Sequence, residues 1–176
     1  MNSTRAIPVL GRALYPTALL AATLTCFVGL ALGQQIQPPP PPALPKPPYT
    51  NPQDAIAARR ASYKAQGQMF AAMKKAIEAK QDPAPFAGDA AWMAQWGQMI
   101  PSMFPPGSET GGDTKALPAI WSDKAGFDKD AAAFNAAAAR LAQVAATNDK
   151  AAFAAQFEAV GETCGACHRT YRARLQ

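Results

Sequence analysis

Apolar side chains recur along this chain at helical spacing. Ile56, Tyr63, Phe70 and Ile77 follow one another at intervals of seven, which predicts one buried stripe on one helix. Pro52 suits a first helical position, with Thr50 or Asn51 as cap, so this helix is predicted from Pro52 to about Lys80. "DPAPFAGD" breaks the pattern. Asp89 is expected to cap a shorter second helix, "AAWMAQWGQMI", whose apolar face holds Trp92, Trp96 and Ile100, with Met93 and Met99 beside them. "PSMFPPGSETGGDTKALP" is a Gly/Pro loop longer than most inter-helix connections, which marks it as functional or as wrapped over something. A third helix is predicted from Asp128 to Ala146. A fourth, capped by Asn148 or Asp149, is predicted from Lys150 to about Arg174, with Phe153, Phe157, Val160, Cys164, Cys167 or His168, and Tyr171 at three- and four-residue steps. No segment alternates as a strand would, and no internal repeat is present. Four amphipathic helices with one long crossover predict an all-α fold, an antiparallel four-helix bundle.

Composition changes this picture in one respect. Of the 176 residues 49% are hydrophobic, but much of that is alanine, which favours helix and buries little area. A core so built is thin, and a large apolar ligand would supply what the side chains do not. The net charge is +5, scattered without like-charge blocks, so nothing points to nucleic acid.

The first 33 residues read as an export signal. Arg5 and Arg12 precede the uncharged run "TALLAATLTCFVGLALG", and Ala31 and Gly33 suit cleavage before Gln34. Cys26 would leave with it. Uncleaved, the run from Ala13 to Gly33 is long enough to anchor the chain in a membrane. Either way the remainder is expected outside the cytoplasm, in the periplasm. Residues 34–50, dominated by "QPPPPPALPKPPYT", form an extended spacer. Residues 51–176 form the domain.

The chemistry lies in "GETCGACHRTYRARLQ". Apart from Cys26, every cysteine and the single histidine of the chain fall there, as Cys164, Cys167 and His168. Cys-x-x-Cys-His is the attachment pattern of c-type haem. On a helix, residues three and four apart share a face. Two thiols can therefore each add to one haem vinyl group while His168 reaches the iron from the same side, giving one covalent haem c. Three other readings fit the residues less well. A redox Cys pair belongs at a helix N-terminus, zinc wants four ligands, and a plain disulfide leaves the adjacent histidine unexplained. There is no second histidine. The methionines Met69, Met73, Met93, Met99 and Met103 are the remaining soft ligands for a sixth iron position, and their ordinary role is packing. No acid–base or nucleophile constellation of an enzyme is visible.

With its CxxCH motif near the C-terminal end, the chain resembles the class II cytochromes c, the cytochrome c' family. The resemblance runs from Pro52 to Arg174 and rests also on "PQDAIAARRASY" and "FPPGSETGGDTKALPAIWSD". It implies that Arg59 lies near a haem propionate, that Arg60 touches the haem, and that Tyr63 faces the iron opposite His168, where low-spin members place methionine. It further implies a place near the haem edge for Asp113 and one beside the proximal histidine for Arg172. The function it implies is that of an exported monohaem cytochrome, five-coordinate and high-spin, binding NO or CO or passing electrons to a redox partner protein. The alternative is a low-spin electron carrier with Met69 or Met73 as sixth ligand. A homodimer through the first two helices is also implied.

Overall fold

The computed structural model describes Tyr49 and residues 51–174. The expected leader and all of the linker but Tyr49 lie outside the described residues. Five helices follow in order: α1 (Pro52–Glu78), α2 (Ala87–Met99), the single turn α3 (Ala119–Ser122), α4 (Lys124–Ala146) and α5 (Lys150–Tyr171). The long ones form an antiparallel four-helix bundle, α1, α2, α4 and α5. Among the described residues there is no strand ladder, only one isolated antiparallel pairing.

Local chemistry sets the helix starts. Asn51 accepts from Gln53 N–H at 2.9 Å and Pro52 opens α1. Asp149, not Asn148, caps α5, accepting from Ala152 N–H at 3.0 Å. Asn148 instead turns into α5 through a positive φ of 59°. Two expected starts were late. α2 begins at Ala87, because Pro83 and Pro85 already shape a 3₁₀ turn at Ala84–Phe86. Asp89 thus falls inside the first turn and caps nothing. α4 begins at Lys124, capped by Asp123, whose Oδ1 accepts from Gly126 N–H at 3.1 Å.

α5 ends at Tyr171, three residues short of the expected Arg174. Arg172 is extended there, because its neighbours pair with the crossover. Leu117 N–H donates to Tyr171 O at 3.0 Å, and Ala173 N–H donates to Lys115 O at 2.8 Å.

The core sits between α2, α4 and α5, around Trp96, Phe127, Leu141, Phe153 and Val160. Gly97 allows the closest approach: a Cβ there would lie 2.9 Å from the Asn135 backbone on α4. α1 stands further off, with few close approaches to the other helices. The expected stripe on α1 is therefore only partly buried. Ile56 is covered, while Tyr63, Phe70 and Ile77 are half-buried. The fully buried row includes Arg59, Gln66 and Met73 instead.

Candidate functional site

The space between α1 and the rest of the bundle is a cleft of about 780 Å³. That is the size of a site for a large organic ligand. α1 supplies one wall through Tyr63, Gln66, Gly67 and Phe70, and α5 supplies the other through Gly161, Cys164, Cys167 and His168. Ile120, Phe127 and Phe134 form an apolar floor. Phe70 and Phe157 stack at 3.9 Å and close one end. Gly161, one turn after Phe157, also faces Phe70: a Cβ there would sit in ordinary contact at 3.4 Å.

Cys164, Cys167 and His168 share the cleft-facing side of α5, as three- and four-residue spacing requires. Both cysteines are free thiols. Burial pushes Cys164 up, and burial together with Asp130 and Cys164 pushes Cys167 up to about 11. Both are therefore protonated at neutral pH, unlike the lowered thiol of a redox pair. Among the described residues no group of three or more His, Cys, Asp or Glu could hold a metal ion. His168 is held below the ordinary imidazole value, first by desolvation and then by the charge of Arg172. Its neutral form, the one that ligates metals, is favoured.

Tyr63 lies across the cleft from His168, with ring centroids 6.5 Å apart. It rests edge-on against Trp96 at 5.9 Å. Burial is the chief reason its hydroxyl is held well above the ordinary phenol range, so it stays protonated.

The charged residues divide into two kinds. Arg59 is 2% exposed and holds the crossover loop. Its Nη1 donates to Ser108 Oγ (2.8 Å) and Met103 O (3.2 Å), its Nη2 to Ser108 O and Thr114 Oγ1 (both 2.7 Å), and the guanidinium lies 4.4 Å over the Phe104 ring. The long loop is thus wrapped over α1, with this cation as its internal hub. Arg60 is half-exposed at the rim, donating to Gly112 O at 2.6 Å and standing 3.7 Å from Asp113. Asp113 itself is exposed and sits at a positive φ of 54°. Lys64, Lys115 and Arg172 also line the cleft, leaving its margin cationic.

Arg59, Arg60, Tyr63, Asp113, Cys164, Cys167, His168 and Arg172 all line this one cleft. Sequence reasoning missed Gln66 and the aromatic floor. Gln66 carries a signal that was available: it is the amide in the inward row Arg59, Gln66, Met73. Its Nε2 is buried without a hydrogen-bond partner among the described residues, as is Trp96 Nε1. Of the five methionines only Met93 lines the cleft; Met69 and Met73 do not.

A protein-family model described as Cytochrome C' matches residues 54–172. The chain belongs to the cytochrome c' family. A cytochrome c' of Rhodopseudomonas palustris is 44% identical over 124 residues, 69% of this chain and 83% of the relative. Two solved structures are similar. One is a cytochrome c' with an unusual ligand-controlled dimer dissociation (TM-score 0.68, 29% identity, 72% of this chain and all of that one). The other is a nitric oxide complex of a variant of cytochrome c prime from Alcaligenes xylosoxidans (TM-score 0.66, 28% identity, 73% of this chain and all of that one).

Cytochrome c' proteins bind covalently attached haem c, and the residues present fit that group. Two separate protonated thiols, a neutral imidazole on the same face, an apolar floor and a cationic margin for carboxylates meet in one cleft of sufficient size.

Proposed function

We propose that this chain is an exported monohaem cytochrome c' whose iron stays open on one side to bind small gases, nitric oxide and carbon monoxide. Cys164 and Cys167 would hold the haem through two thioethers, and His168 would be its one protein ligand. The haem supplies an iron centre that changes oxidation state and takes up a diatomic ligand. The observation that carries the reading is the placement of Tyr63 opposite His168, 6.5 Å between rings, where a strong second ligand would otherwise stand. A protonated phenol is a weak partner for iron but a good steric screen. Arg60, Lys64 and Arg172 would meet the haem carboxylates at the margin, and Arg172 would also act on the His168 imidazole. Arg59 would act from behind, by fixing the crossover loop that carries Asp113.

Relatives in complex with nitric oxide support gas binding, and one whose dimer dissociates under ligand control supports a homodimer. The export reading rests on residues 1–33, cleaved before Gln34 or retained as an anchor, with 34–50 as spacer. No described helix is long and apolar enough to cross a membrane. Transfer of electrons to a redox partner protein is compatible with the same centre.

The second reading, a low-spin electron carrier, now has a single candidate. Met93 lines the cleft, whereas Met69 and Met73 do not.

The test is the spectrum of the ferrous protein, purified from a host that matures c-type haem, with and without CO. A high-spin ferrous form converted by CO is expected, and the intact mass should carry one haem. A six-coordinate low-spin spectrum indifferent to CO sinks the open-site reading. If Met93→Leu then turns the spectrum high-spin, the second reading takes its place.

A further inference from the structure

We propose that Trp92 and Trp96 form an electron relay that carries oxidising equivalents out of the cleft, past the ring of Tyr63, to the surface of α2. Their source is hydrogen peroxide, a small molecule that an iron open on one side admits, so the relay rests on the open-site reading above.

Four rings stand in line. His168 faces Tyr63 with centroids 6.5 Å apart, Tyr63 meets Trp96 edge-on at 5.9 Å, and Trp96 stacks on Trp92 at 6.3 Å with the planes 7° apart. Trp92 and Trp96 are four residues apart on α2, so one helix holds both indoles on one face. Trp96 is 1% exposed, while Trp92 is half-buried and reaches the surface. The line thus runs from the cleft to solvent.

The residue types suit this use. Electron transfer weakens steeply with distance, and it is broken into shorter steps only by groups that can themselves give up an electron. Indoles can do so; phenylalanine rings cannot. A second aromatic line, Trp121, Phe104, Phe127 and Tyr171, has similar spacings of 6.0, 5.0 and 5.2 Å, but two phenylalanines interrupt it and it serves packing. There the indole N–H is paired, Trp121 donating to Phe104 O at 3.1 Å. Trp96 differs. Its Nε1 is buried without a partner among the described residues, although a buried indole N–H ordinarily finds one. With no base to take that proton, an oxidised Trp96 stays a cation. A cation in so dry a place is costly, so it draws an electron from Trp92, whose oxidised form meets water. Tyr63 is a bridge between the cleft and Trp96, since burial holds its hydroxyl proton in place.

Reduction of one hydrogen peroxide to two waters takes two electrons and two protons. The haem supplies one electron. The other leaves the Trp92 indole and passes through Trp96 and across Tyr63 to the cleft. Trp92 is then the oxidised group, and its N–H proton goes to solvent. One electron and one proton from an external one-electron donor, such as a phenol, restore it.

The experiment treats haem-loaded wild type, Trp92→Phe and Trp96→Phe with hydrogen peroxide in the presence of a nitroso spin trap, and locates the adduct by peptide mass spectrometry. In the wild type the adduct is expected on Trp92. Trp96→Phe should lose it. Trp92→Phe, a change at a half-buried position, should move it to Trp96 or Tyr63 and hasten bleaching of the haem band. Undiminished labelling of Trp92 in Trp96→Phe overturns the relay, as does wild-type label confined to residues off this line. Unchanged bleaching in Trp92→Phe overturns it equally. If peroxide leaves the wild type unlabelled although CO binds, the relay fails and the open-site reading stands. If the wild type takes up no CO, the open-site reading has failed and the relay falls with it.

Discussion

Tyr63 and Tyr171 show how two phenols in one domain are set to different work by their surroundings. Tyr63 stands edge-on to the rings of Trp96 and His168, and its hydroxyl is kept protonated by burial. Tyr63→Ala should open space in the cleft, and CO association measured by flash photolysis should speed up about tenfold, a barrier change of ~1.4 kcal/mol. Tyr171 donates to Asp123 Oδ2 at 2.8 Å, and this bond pushes its hydroxyl up to about 12. The folded value is raised above that of the unfolded chain, so the bond's stabilisation is whole below pH 10 and is lost as pH rises towards 12. Denaturant titrations should therefore show a gap between wild type and Tyr171→Phe that is constant below pH 10 and closes above it. That Cys164, Cys167 and His168 share a face was legible because their spacing is local: it needs only one regular helix. The partners of Arg59 were not legible. They lie 44 to 55 residues away, on a loop whose path no periodicity encodes. Nor does any local rule say which of five methionines lines the cleft.

At the scale of elements, small residues decide how closely the helices approach. Gly97 lies against the α4 backbone, so Gly97→Ala must push α2 and α4 apart. A loss of about 1–3 kcal/mol is expected in thermal or urea unfolding of the holoprotein. Gly126 serves a junction. A Cβ there would fall 2.6 Å from the Tyr171 hydroxyl and closer still to Asp123. One carboxylate thereby caps the start of α4 and ties down the end of α5, a joint that the sequence hides because its halves are 48 residues apart. Arg59→Leu tests the crossover in the same way. Four hydrogen bonds go at once and Ser108, which is fully buried, loses its donors; about 3 kcal/mol is expected, with faster proteolysis between Pro105 and Lys115. The four long helices were legible from spacing to within a few residues. Their ends differed where proline turns, or pairing with distant backbone, overrode propensity, as at Ala87 and Tyr171.

The described residues as a whole form a three-helix core, α2, α4 and α5, with α1 held against it across a cleft. Alanine-rich helices predicted a thin core with room for an apolar ligand, and the structure places that room between α1 and α5. Sedimentation of the mature holoprotein should give a dimer, the state proposed above, and a species of one chain mass at all concentrations would reject it. N-terminal sequencing of the exported protein should begin at Gln34, or at Met1 if the leader stays as an anchor. The two walls also have a consequence for how the site can vary. Cys164, Cys167 and His168 sit on α5, while Tyr63, across the cleft from His168, sits on α1, more than 90 residues earlier in the chain. On the proposed function, substitutions in that one stretch of helix would change which ligand is admitted without touching the residues proposed to secure the cofactor. Such a layout would be modular, with ligand choice and attachment on separate helices.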